Sequence, residues 1–108
     1  MQSRVVESES LAADSAGPHA GEYETSVVAM LRPGSIRRKA LRPGRVVSRG
    51  EGQALFYPSL RPNAESGVLG DPSLASGERG ERYLSAWLDL LEEAYREAFP
   101  GWTSKNRQ

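Results

Sequence analysis

Histidine is the side chain best suited to take and give protons near neutral pH, and this chain of 108 residues contains one, His19. It stands in the stretch Pro18-His19-Ala20-Gly21-Glu22-Tyr23-Glu24-Thr25-Ser26, directly ahead of a helical pattern. A lone histidine in that place can serve as a general acid or base, or simply as a surface or capping residue. Nothing singles out one serine as a nucleophile, so no Ser/His/Asp arrangement can be assigned. Gly67-Val68-Leu69-Gly70 lacks the lysine and the flanking strand of a phosphate-binding loop. Zinc hydrolases present several His and carboxylate ligands and keep one position open for water. Here there is one imidazole and no cysteine. Glu22 and Glu24 sit where a helix start favours carboxylates without any metal. These residues alone do not make a complete hydrolytic metal site.

The elements that must carry His19 can be read from apolar spacing. Tyr23, Val27, Met30 and Leu31 recur at helical intervals and predict a short helix ended by Pro33-Gly34. A second, longer helix follows Asp71-Pro72, with Asp71, Ser73 and Ser76 as candidate caps. Its stripe is Tyr83, Leu84, Trp87, Leu88, Leu91, Tyr95 and Ala98, opposite Asp89, Glu92, Glu93 and Arg96, and Pro100-Gly101 stops it. Such a stripe must be buried against something, most naturally a sheet. Arg4-Val5-Val6, Arg45-Val46-Val47-Ser48 and Ala54-Leu55-Phe56-Tyr57 are the candidate strands, all short. Leu31-Arg32-Pro33-Gly34 and Leu41-Arg42-Pro43-Gly44 resemble a repeat, but proline and glycine at chain reversals explain both. The expected organisation is a weakly patterned segment 1–17, a domain portion 18–99 and a polar tail 100–108.

Composition narrows the function classes. Lys+Arg 14 against Asp+Glu 14 gives a formal net charge of +0, and hydrophobic residues make up 38%. That balance argues against a dedicated nucleic-acid binder and against a charge-extended disordered chain. The basic stretch Arg32 to Arg49 lacks the interleaved aromatics that stack bases. It is compensated by the acidic second helix, to which it could be attracted within the fold or between subunits. No run approaches the roughly 20 apolar residues of a membrane span, and the first residues lack the apolar run of a signal peptide. A cytoplasmic protein, with no nucleic-acid and no membrane partner, is the expectation.

The stretch His19-Ala20-Gly21-Glu22-Tyr23-Glu24-Thr25-Ser26 resembles the His-Ala/Gly-Gly-x-x-Glu-Thr-Ser signature of the creatininase family of amidohydrolases. Downstream, a Leu-Arg-Pro helix ending, the loop Ser66-Gly67-Val68-Leu69-Gly70-Asp71-Pro72 and the terminal helix with Glu78-Arg79-Gly80-Glu81-Arg82-Tyr83-Leu84 follow in the family's order. The resemblance implies an α/β fold, the C-terminal portion of a three-layer α/β/α domain, here two helices with short strands and long loops. Family members hydrolyse C–N bonds in cyclic or linear amides at a di-metal centre, commonly zinc or manganese, and one branch trims a peptide during mycofactocin maturation. By the resemblance, His19 is the active-site histidine that contacts substrate and passes a proton to the leaving nitrogen. Glu24, counted with His19 as catalytic, is by the resemblance the signature glutamate that fixes the helix start and the active-site loop; Asp71 before Pro72 reads on its own as a structural cap of the last helix. Many members carry an acid just before the histidine or one residue further back. Here Gly17 and Pro18 stand there, and Asp14 is the nearest carboxylate.

The family's metal ligands come from motifs upstream of the signature, which this sequence does not show. The expectation is therefore a C-terminal fragment, inactive alone, binding no zinc or manganese by itself. Its substrate in the parent family is a small-molecule amide, and its oligomer is one of identical subunits. Without central strands to cover its helices, the isolated chain is expected to be marginally stable or molten. The alternative is a non-enzymatic interaction or regulatory module that associates with full-length subunits.

Overall fold

The computed structural model describes residues 17–47 and 58–101. The strand readings at Arg4-Val5-Val6 and Ala54-Leu55-Phe56-Tyr57, and the tail from Trp102, lie outside those residues. Two helices organise the rest, α1 (Glu22–Leu31) and α2 (Gly77–Ala98). α1 opens at Gly21 with no side-chain cap, and Glu22 and Glu24 in its first turn face the positive end of the helix dipole. It closes at Arg32, where the backbone leaves helical geometry ahead of Pro33. α2 is capped by Ser76, whose Oγ accepts the Arg79 N–H at 3.1 Å.

Asp71 caps a different element. Its Oδ1 accepts the Ser73 N–H at 3.0 Å and closes the 3₁₀ turn Pro72–Leu74. Ala75 then returns to extended backbone, so α2 needs a second start signal, and Ser76 supplies it.

The face that α1 buries differs from the apolar one in its sequence. Glu22, Ser26 and Ala29 are the buried positions, while Leu31 is 61% exposed. Spaced by four and three residues, these small or hydrogen-bonding side chains line the surface turned to α2. Tyr23 and Val27 flank that surface and pack on the fully buried Tyr83 of α2, together with Ala86 and Leu90. The helices meet at close range because residue 80 is glycine. A Cβ there would lie 2.0 Å from the Ser26 carbonyl oxygen.

Among the described residues α2 is covered by α1 and by no sheet. A 10-residue helix is about 15 Å long and a 22-residue one about 33 Å, so the cover ends halfway. Beyond it the stripe opens: Leu88 is 56% and Tyr95 53% exposed.

Among the described residues the backbone forms bridges and no extended strands. Residues 68–70 run between 17–19 and 44–45. The Leu69 N–H donates to the His19 carbonyl (2.8 Å), the Gly70 N–H to the Arg45 carbonyl (3.0 Å) and the Gly44 N–H to the Gly70 carbonyl (2.8 Å). His19 pairs antiparallel and Arg45 parallel to Leu69, which is fully buried. Of the expected strand Arg45-Val46-Val47-Ser48, residues 45–47 are described, and Arg45 is the bridging one. Gly17 makes the approach possible: it has φ +64°, and a Cβ on it would fall 1.7 Å from the Leu69 carbonyl oxygen. No helix among the described residues is long and apolar enough to cross a membrane.

The helix crossing gives a test. Alanine normally stabilises a helix interior over glycine by about 1 kcal/mol. At position 80 overpacking reverses the sign, and Gly80→Ala is expected to lower the unfolding free energy in urea by about 1–3 kcal/mol. Gly34→Ala, where a Cβ meets nothing within 4 Å, is expected to be neutral or slightly stabilising.

Candidate functional site around His19

His19 stands at the surface on a turn whose backbone is held on both sides. Its own carbonyl accepts the Leu69 N–H. The next residue, Ala20, has φ +52°, the only positive φ outside glycine among the described residues. An L-residue in that conformation costs roughly 1 kcal/mol or more and persists where neighbours over-determine it. The neighbour here is Glu24, one helical turn on, whose Oε2 accepts the Ala20 N–H at 2.5 Å. Charge-assisted bonds of this kind are short and strong. Gly21 then opens α1, with the Thr25 N–H donating to its carbonyl at 3.1 Å. The result is an exposed imidazole on a strained turn, anchored from within six residues by Glu24 and from afar by Leu69.

Behind the turn lies a polar cluster that the sequence reading did not single out. The Glu22 carboxylate is 1% exposed. The Ser26 hydroxyl donates to its Oε1 at 2.7 Å, and the Tyr83 hydroxyl donates to its Oε2 at 2.5 Å. The Arg79 guanidinium lies 3.6 Å from Oε1. Ser26 Oγ in turn accepts the Ser76 N–H at 3.1 Å. A buried carboxylate needs this completeness, because an unpaired one would be expelled or neutralised. Reading Glu22 as a helix-start charge and Tyr83 as part of an apolar stripe hid the contact. The available signal was polar residues at the spacing of α1's inward face, Glu22 and Ser26, opposite a Gly80–Tyr83 pair.

Beside the turn an open groove of about 680 Å³ runs along α1. Ala20 and Glu24 border it, and Tyr23, Val27, Leu84 and Trp87 supply its apolar wall. Burial of the Tyr23 ring, and then the Glu24 carboxylate beside it, hold the Tyr23 phenol above its ordinary value of 10.0. Its ring meets that of Tyr83 at 4.7 Å between centroids, tilted by 58°.

The donors present do not fit a metal centre. Among the described residues no three of His, Cys, Asp and Glu gather where they could hold an ion. Glu22 has its oxygens taken by Ser26, Tyr83 and Arg79, and Glu24 turns one oxygen to the Ala20 amide. What the arrangement can do is present one imidazole, at a fixed backbone position, to a group arriving from solvent.

A family model described as creatininase, creatinine amidohydrolase, matches residues 1–95. Among curated proteins the chain is similar to the mycofactocin precursor peptide peptidases of two strains of Mycobacterium tuberculosis. The identity is 39% over 77 residues, covering 67% of this chain and 29% of each relative. The chain therefore spans less than a third of the length of these relatives. No solved structure matches it significantly.

The Tyr23 environment predicts an alkaline limit. The folded chain binds the phenolic proton more tightly than the unfolded chain, so this contribution is complete below the unfolded value. It is lost as pH rises through the raised folded value. The urea midpoint is expected to fall above about pH 10. Tyr23→Phe should remove that part of the slope, and an unchanged slope would contradict the burial of the phenol.

Proposed function

The chain belongs to the creatininase family, and on that premise we propose that it forms part of an amidohydrolase site in which His19 serves the leaving nitrogen. Family membership supports hydrolysis of a C–N bond as the reaction class, and a peptidase among the relatives extends the substrate class to peptide bonds. Expulsion of an amine from a tetrahedral intermediate requires a proton donor at the nitrogen. The single observation that carries the reading is the His19 turn. The imidazole is exposed while its carbonyl is bound by Leu69 and the next amide by Glu24. Glu24 then acts through the backbone, fixing where the imidazole stands, and does not itself meet substrate.

The family is generally metal-dependent, and the residues described here do not supply its ligands. No step is therefore assigned to a metal on the described residues. On this reading zinc or manganese is held by residues other than these. The chain alone does not turn over an amide, and α1 and α2 are outer-layer helices of a three-layer α/β/α domain assembled from identical subunits. Leu88, Tyr95 and Phe99, exposed along α2, support a second reading in which the chain is an interaction module seated on full-length subunits.

One experiment separates the two. This chain is mixed with the Mycobacterium tuberculosis relative lacking its matching region, and hydrolysis of that relative's peptide is followed. Activity is expected only from the mixture, and His19→Ala in this chain should lower kcat by about 10²-fold or more. Unchanged kcat in His19→Ala would overturn the role given to the imidazole. Co-purification of the two pieces without hydrolysis would favour the interaction module.

A further inference from the structure

We infer that Tyr83, remote in sequence from His19 and on another helix, is a positioning residue for the His19 turn. The inference rests on the reading of His19 given above and deepens it. α1 begins at a glycine with no side-chain cap, so nothing local in the usual way fixes where its first turn starts. Glu24 ties Ala20 to α1, but that bond only makes the turn and the helix move together. Their common position must be set from outside.

One continuous stretch, Leu69 to Tyr83, does this at both flanks. At its start the Leu69 N–H holds the His19 carbonyl. At its end the Tyr83 hydroxyl holds Glu22 Oε2. Between them the Ser76 N–H holds Ser26 Oγ, which itself donates to Glu22 Oε1. His19, Ala20 and Gly21 thus lie between two points of attachment, residues 19 and 22, both on the same distant segment. The stretch itself is stiffened by the Asp71-capped turn and by the Ser76-capped start of α2. Tyr83 is fully buried and cannot meet substrate. Its hydroxyl acts on His19 through Glu22.

Amide hydrogen exchange tests this in the full chain without reference to any hydrolysis, so its failure is distinct from a failure of the proposed activity. Tyr83→Phe deletes one hydroxyl and keeps the ring. A lost hydrogen bond to a charged group should cost the Ala20 amide at least about tenfold in protection beyond whatever the Ala29 amide, in mid-α1, loses. Tyr95→Phe, which removes a hydroxyl from the exposed part of α2, should leave the ratio of the two unchanged. Equal losses at Ala20 and Ala29 in Tyr83→Phe would mean that Tyr83 only stabilises the fold, and would overturn the inference. Should that variant unfold, the wild-type chain decides. Ala20 and Gly80 are expected to lose protection at the same urea concentration, and an Ala20 amide that opens well before Gly80 overturns the inference.

Discussion

A carboxylate withdrawn from water is the constraint on which the described structure turns. Glu22 is buried at the face where α1 meets α2, and a charge in that place demands partners. They come from both helices: Ser26 on α1, Tyr83 and Arg79 on α2. Removing one hydroxyl partner from such a group typically costs about 1.5–3 kcal/mol, whereas replacing a whole buried charged set by well-packed apolar residues can be neutral. The set therefore selects one register of the two helices more than it adds net stability. Gly80 is the steric half of the same device, since the hydroxyl of Tyr83 reaches Glu22 only where the backbones cross closely.

The His19 turn inherits its position from that crossing. His19 is three residues ahead of Glu22, and the intervening Ala20 and Gly21 leave little slack. Ala20 is held at positive φ by Glu24 from one side, and the chain enters the turn through a bond from Leu69 on the other. An imidazole at the surface is free to meet solvent and solute. Its backbone is not free, and that combination is what proton delivery to a leaving group requires.

Much of this is legible in sequence, and each miss has its own physical cause. Both helices follow from apolar spacing and from their Pro-Gly stops. The His19 signature and the Ser66 to Pro72 loop identified the family, whose model matches residues 1–95. The buried faces were less legible. Periodicity marks apolar residues as inward, yet α1 turns Glu22, Ser26 and Ala29 inward while Leu31 stays exposed. For a polar contact between helices sixty residues apart, the sole local signal is the helical spacing of Glu22 and Ser26. Likewise, the apolar stripe of α2 called for a sheet, but the ten residues of α1 cover only its first half. Of the candidate caps for α2, Asp71 closes the 3₁₀ turn before it and Ser76 caps the helix itself, because a Pro-led 3₁₀ turn and an α-helix share the same opening residues.

The account stands or falls on coupling between Glu22 and Tyr83. A double-mutant cycle of Glu22→Gln and Tyr83→Phe, read as unfolding free energy in urea, measures that coupling directly. The account predicts an interaction energy of about 1 kcal/mol or more, the double variant losing clearly less than the two single losses added. Losses that add to within about 0.3–0.5 kcal/mol would show that the two residues do not depend on one another, and would contradict it.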